Sequence, residues 1–288
     1  TTASDNDNAW GILQAQTTEG VTYQKGNESL VASEYTTTNQ VDQVWGIIEA
    51  NTTVGETYAK GNKSWISGRY TTASDNDNAW GILQAQTTAG ETYQKGNTSL
   101  IASEYTTTNT VEGTWGVIEA SQTVGETYAK GNKSLVSGMY VTESDNDAAW
   151  GILQAQTTAG ETYQKGDPSL IASEYTTTNT VETTWGVIEA SRTTGETYAK
   201  GNKSWISGRY TTASDNDNAW GILQAQTTEG VTYQKGNESL VASEYTTTNQ
   251  VDQVWGIIEA NTTVGETYAK GNKSWISGRY TTASDNDN

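Results

Sequence analysis

Tryptophan recurs at Trp10, Trp45, Trp80, Trp115, Trp150, Trp185, Trp220 and Trp255, 35 residues apart every time, with no insertion or deletion. Each is followed by Gly and then by Ile or Val. A period held this strictly means that every unit meets its neighbours in the same way, which is the signature of a stacked or circular repeat architecture. Alternate units match better than adjacent ones, giving a 70-residue higher unit, and residues 1–78 are identical to residues 211–288, a super-period of 210. The expected organisation is one continuous array over residues 1–288, eight 35-residue repeats forming a window of a longer array.

Each unit contains two related halves. Asn8–Thr18 aligns with Asn27–Thr37, and Gln43–Thr53 aligns with Asn62–Thr72, so successive starts lie alternately 19 and 16 residues apart, a mean step of 17.5. The segments GILQAQT, VTYQKG, SLVASEYT and WISGRYT are rich in β-branched and aromatic residues, which suit strands. The Gly and Asn-Asp runs between them are turn chemistry, and no helix-period stripe interrupts them. The predicted fold is therefore all-β, a tandem-repeat β-solenoid or cross-β stack with about 17.5 residues per coil and two coils per 35-residue repeat. The alternative is an eight-bladed β-propeller, although 35 residues is short for a four-stranded blade.

Stacking like positions of consecutive coils places Trp10 beside Ser29, Leu13 beside Ala32, Gln16 beside Tyr35 and Asn51 beside Tyr70. Large side chains then alternate with small ones, as close packing requires. Trp10, Trp45, Trp80, Trp115, Trp150, Trp185, Trp220 and Trp255, with Tyr35 and Tyr70, are expected as structural packing residues, the tryptophans inside the stack or between fibre strands. The competing reading of the tryptophans is a row of sugar-stacking platforms. Another column sets Glu34 two coils from Arg69, near enough to couple. Thr, Asn and Gln are expected to form hydrogen-bonded ladders along the stack, which gives order to a chain only 33% apolar.

Composition narrows function. The net charge is −18 and there is no His and no Cys. Nucleic acid and anionic membrane surfaces are disfavoured partners, and no run approaches the ~20 apolar residues of a membrane-spanning helix. Without His or Cys, and with no Ser in a Gly-x-Ser-x-Gly context, nucleophilic and acid–base catalysis lacks its usual groups. The chain is expected not to be an enzyme.

Two motifs offer ligands. Asp5 and Asp7, Asp75 and Asp77, and Asp215 and Asp217 stand at alternate positions of the Ser-Asp-Asn-Asp-Asn segments and are candidate Ca²⁺ ligands. The competing reading is a solvated turn, and no other cofactor is expected. Asn-x-Ser/Thr sequons occur at Asn27, Asn51, Asn62, Asn97, Asn132, Asn202, Asn237, Asn261 and Asn272, candidate glycosylation sites in a secreted protein. Asp167-Pro168 shows that one copy of this turn tolerates loss of Asn.

The run Tyr23-Gln24-Lys25-Gly26-Asn27-Glu28-Ser29 resembles the Gln-x-Gly-x-x-Asn rungs of curli-type functional amyloids, over about seven residues of each 35-residue unit. The rung's Gln positions are partly Tyr here, and the rung length alternates. The resemblance implies a secreted, self-stacking, amyloid-like fibre among repetitive β-solenoid surface proteins. The function expected is structural: an extracellular or cell-surface filament or matrix fibre assembling with itself end to end or laterally. A multivalent carbohydrate-binding lectin with glycan partners is the alternative.

Overall fold

The structure, a computed structural model, describes residues 1–286. It is all-β, with one strand for each 17.5-residue step. Contacts group the chain into two compact units: Thr1–Val136 with Asn146–Gly151, and Ser137–Asp145 with the chain from Ile152 onward. The first unit carries β1 (Thr2–Asn6), β2 (Leu13–Tyr23), β3 (Val31–Val41), β4 (Ile48–Tyr58), β5 (Ile66–Asn76), β6 (Leu83–Tyr93), β7 (Ile101–Val111) and β8 (Ile118–Tyr128). The second carries most of β9 (Val136–Asn146), then β10 (Leu153–Tyr163), β11 (Ile171–Glu182), β12 (Val187–Tyr198), β13 (Ile206–Asn216), β14 (Leu223–Gln234), β15 (Asn237–Val251), β16 (Ile258–Tyr268) and β17 (Ile276–Asp285).

Consecutive strands β1 to β8, and β10 to β17, pair antiparallel in chain order. Each unit is thus an open meander. Among the described residues β1 pairs with β2 and β17 with β16 and with no other strand, so no ring of blades forms. The repeat's 35 residues are used up by two strands of about eleven residues and two turns, leaving none for the further strands of a propeller blade.

The strand direction corrects the expected stacking partners. Gln16 lies opposite Asn39 and not Tyr35, Asn51 opposite Ser74, and Leu13 opposite Asn6. Trp10 and Ser29 fall in turns at opposite ends of β2. The reason is in the turns. Gly11 has φ +70°, and Lys25 and Gly26 have φ of 52° and 66°. These left-handed residues reverse the chain within a few positions, whereas a coil with all strands running one way needs longer crossovers.

Large-over-small packing survives with different partners. On one face of the sheet Tyr35 lies over Gly20, Tyr70 over Gly55 and Tyr105 over Gly90, and the same pairing recurs through Tyr175, Tyr210, Tyr245 and Tyr280. Beside this row runs a threonine row. Thr37 and Thr53 hydroxyls are 2.8 Å apart, and Thr72–Thr88, Thr107–Thr123 and Thr142–Thr158 follow suit. A third row is amide and hydroxyl. Asn109 donates to Gln86 Oε1 at 2.8 Å, and Gln86 donates to Ser74 Oγ at 3.1 Å. The same triplet recurs 70 residues on, at Asn179, Gln156 and Ser144, which is the physical content of the 70-residue unit. The polar ladders expected from the sequence are therefore present. Each cross-strand pair of this kind contributes roughly 0.2–1 kcal/mol.

The apolar core is small. The best-buried apolar side chains are Tyr58, Tyr93, Tyr128, Tyr163, Tyr198 and Tyr268 at strand ends, with Val41 and Val181. Order rests on backbone pairing and side-chain rows rather than on an enclosed centre.

A methyl group added at Gly90 would lie 2.5 Å from the Tyr105 ring, while one added at Gly113 would meet nothing within 4 Å. Gly90→Ala is expected to cost about 1–3 kcal/mol by overpacking, seen as faster amide exchange in β6 and β7 and a lower unfolding midpoint. Gly113→Ala is expected to leave both nearly unchanged.

Candidate functional site

Antiparallel pairing sends the two kinds of turn to opposite ends of the strands, and every Trp-Gly turn of a unit falls on the same edge. The turn is built around one carboxylate. In the Asp77–Ile82 turn, Asp77 Oδ1 accepts the Ala79 and Trp80 backbone N–H groups at 2.8 and 2.7 Å, and Oδ2 accepts that of Ile82 at 2.9 Å. Asp7 and Asp217 do the same. The Trp80 N–H, with those of Ala79 and Ile82, holds the Asp77 carboxyl below its ordinary 3.8.

The same role falls to Asp42, Asp147 and Asp252, and to the longer Glu112 and Glu182. Sequence reasoning missed these five. The signal was an acidic residue three positions before every Trp. Of the candidate calcium ligands, Asp7, Asp77 and Asp217 thus direct their oxygens into their own turns. Asp5, Asp75 and Asp215 sit in strands opposite Ala15, Ala50 and Ala190. Among the described residues no group of three Asp or Glu side chains converges as a metal-ligand set.

The turn leaves its tryptophan in solvent. Trp10, Trp45, Trp80, Trp115, Trp150, Trp185, Trp220 and Trp255 are 74–84% exposed. This overturns the expectation that they pack inside the stack: the ring projects from a turn whose backbone is already satisfied by the carboxylate. Tyr35 and Tyr70 do pack, over glycine. Between neighbouring turns, Trp45, Ile47, Asn78, Ala79 and Trp80 line a cleft of about 590 Å³. Two strand spacings separate successive rings, about 9.5 Å. Such an edge can stack planar rings or cations.

The opposite edge carries the Lys-Gly-Asn turns, including the Gln24–Ser29 run. The sequon asparagines Asn27, Asn62, Asn97, Asn132, Asn202, Asn237 and Asn272 accept the backbone N–H of the Ser two residues on, at 2.9–3.0 Å. Asp167 accepts from Ser169 in the same way, which explains the tolerated Asp167-Pro168. Asn51 and Asn261 instead belong to the amide row, opposite Asn39 and Asn249. Three turns add a ring: Lys60, Lys200 and Lys270 lie 5.3–5.6 Å from the Trp65, Trp205 and Trp275 centroids.

The sheet face opposite the tyrosine row is charged. In the first unit Glu34, Glu56, Arg69, Glu91, Glu104 and Glu126 stand side by side on successive strands. Arg69 pairs with Glu56 at 2.7 Å on the adjacent strand, nearer than the two-coil separation from Glu34 that the sequence suggests. Like charges facing each other are unfavourable, and cations from the turns offset this. Lys63 pairs with Glu34, and Lys133 with Glu104 and, at 3.1 Å, with Glu91. The Tyr58 hydroxyl donates to Glu34 and to Glu56, the latter at 3.0 Å.

Lys63, with Tyr58, holds the Glu34 carboxyl below its ordinary 4.5. Burial, with Glu34 and Glu56, pushes the Tyr58 phenol well above 10. Tyr128 and Tyr198 are raised likewise, and Tyr268, beside Glu244 and partly buried, is pushed up to about 12. Against the same face in the first unit, a groove of about 700 Å³ is lined in part by Arg69, Thr71, Ala89, Glu91, Glu104 and Val124. Among the described residues no helix is long and apolar enough to cross a membrane. Comparison with known proteins returns no matching family and no matching curated protein.

Two predictions follow from these groups. Asp77→Ala is expected to speed exchange of the Trp80 and Ile82 amides several-fold, whereas Asp77→Asn, which keeps an acceptor oxygen, changes them less. Stability is also expected to fall at both ends of the pH scale. Glu34, Glu104, Glu174 and Glu244 are depressed in the folded chain. Their contribution is present above 4.5 and lost as pH falls through the folded values. The tyrosines are raised, so theirs is present below 10 and lost as pH climbs through the folded values. Thermal melts across pH, with tyrosinate absorbance as the alkaline probe, check both limbs.

Proposed function

We propose that this chain is a structural protein, a stretch of a secreted or cell-surface filament or matrix fibre. The observation that supports this most directly is the nesting of its turns. Gly81 of one Trp turn would place a Cβ 3.2 Å from Ile47 of the turn before it, and Gly116 stands in the same relation to Ile82. On the other edge Gly96 would meet the Trp65 Cβ at 2.7 Å, and Gly131 the Leu100 Cβ at 2.7 Å. Within each unit successive repeats therefore dock through the same contacts, and adding a repeat adds the same interface again. Stability then grows with repeat number, as nearest-neighbour coupling requires, and length itself becomes the useful property.

The site chemistry fits this role. The carboxylates recur with the scaffold, and those of the turns are occupied with backbone N–H groups. A second reading, multivalent glycan binding, is favoured by the exposed tryptophan edge alone. It no longer needs a propeller.

The test is a series of chains with increasing numbers of repeats. Unfolding midpoints are expected to rise with each added pair and approach a plateau, and electron micrographs of the longest chains to show filaments with an axial repeat of about 4.8 Å. Midpoints independent of length, with particles of one fixed size, contradict the proposal.

A further inference from the structure

The two edges of each unit are chemically opposite. All twelve lysines lie in the Lys-Gly-Asn or Lys-Gly-Asp turns. The Trp-Gly turns have no Lys or Arg within six residues of the tryptophan, and each has Asp or Glu three positions before it. One edge is therefore acidic with a tryptophan in every turn, and the other cationic, its three tryptophans, Trp65, Trp205 and Trp275, each already facing a lysine of its own turn. Both repeat every 35 residues, so in units laid side by side the two rows keep the same step.

The lysines carry a second signal. Lys25, Lys60, Lys95, Lys130, Lys165, Lys200, Lys235 and Lys270 all have φ between 52° and 57°. That region disfavours any residue with a Cβ and is filled most cheaply by Gly or Asn. The turn's backbone gives no reason for lysine in all eight copies, so the reason lies in the side chain. Lys60, Lys200 and Lys270 each place the ammonium over a tryptophan ring within the same turn. At Lys25, Lys95, Lys130, Lys165 and Lys235 the residue five positions on is Leu, and among the described residues these ammonium groups have no ion pair or ring partner.

We propose that the Trp-Gly edge is a docking surface for the Lys-Gly edge of a second copy of this chain. The ammonium groups of one copy enter the clefts between successive tryptophans of the other, such as that between Trp45 and Trp80. Cation–π attraction and the acidic surroundings of each ring favour the same occupant. The contact is heterologous, since each copy presents one edge and receives the other, so each copy joined leaves a further edge for the next and stacks are joined laterally. It goes beyond stacking along the fibre and stands whether or not the array grows in that direction.

Two variants of the full chain test it. In the first, Ser replaces the tryptophan of all eight Trp-Gly turns (Trp10→Ser through Trp255→Ser). In the second, Asn replaces the eight positive-φ lysines (Lys25→Asn through Lys270→Asn), a change that suits the turn and keeps it folded. By sedimentation velocity at about 0.1 M salt, where the Debye length of ~10 Å screens the overall charge but not close pairs, the natural chain is expected to form assemblies that grow with concentration. At about 1 M salt they disperse. Each variant alone is expected to stay monodisperse, while an equimolar mixture forms pairs, because each retains the edge the other lacks. The rise of the unfolding midpoint with repeat number reports stacking along the array separately and is expected in both variants.

Natural chain that is monodisperse at 0.1 M salt, or variants that assemble as it does, overturn the proposal. So does binding of the natural chain to insoluble neutral polysaccharide, lost in the tryptophan variant, without self-association. That outcome assigns the edge to glycan.

Discussion

Close approach of neighbouring turns at glycine sets the terms for everything else in this molecule. At Gly116 an added Cβ would sit 2.9 Å from the Leu83 backbone nitrogen, and at Gly96 2.9 Å from the Trp65 Cα. Both residues also have positive φ, 71° and 66°, so two independent demands converge on glycine at each site. Because each turn rests on the one a full repeat earlier, any change in loop length would lift a turn from its seat and disturb the next. The uninterrupted 35-residue period is the covalent record of that contact.

Once the turns fix the register, each strand position acquires a constant neighbour. Tyrosine faces glycine, threonine faces threonine, and amide faces amide or hydroxyl along one side of the sheet. On the other side the glutamates would repel each other without Lys63, Lys133, Lys203 and Lys273, which reach back from the lysine edge to the carboxylate row. The acidic surplus that remains is not spread evenly. It is concentrated around the exposed tryptophans, far along the strands from the lysine edge. A sheet so divided has two chemically different edges.

Much of this was legible in the sequence. The period, the 17.5-residue step, the all-β class and the polar ladders all follow from spacing and residue type. The direction of alternate strands did not, because both stacking schemes alternate large with small: Tyr35 beside Gln16 and Tyr35 over Gly20 satisfy the same volume rule. The deciding clue was local. Two turn signals alternate along the chain, Asp or Glu three residues before Trp-Gly and Lys-Gly followed by Asn or Asp, hence a tight turn at alternating ends. The tryptophans were misplaced for a related reason. A large aromatic in a regular column reads as packing, but Trp80 lies three residues after Asp77 and directly before Gly81, the grammar of a turn. The Tyr58–Glu34–Lys63 cluster could not be read from spacing alone, since it joins residues from two strands and a turn.

The antiparallel register is the claim on which the edges, rows and proposed contacts depend. The chain has no cysteine, so introduced pairs report proximity without background. Gln86 lies opposite Asn109, while Tyr105 lies opposite Gly90. Rapid air oxidation of the Gln86→Cys/Asn109→Cys chain to an intramolecular disulfide, with none in Gln86→Cys/Tyr105→Cys, is the result the account predicts, since bridging needs Cα atoms within about 7 Å. Crosslinking of the second pair in place of the first would mean that like positions stack, and would contradict it.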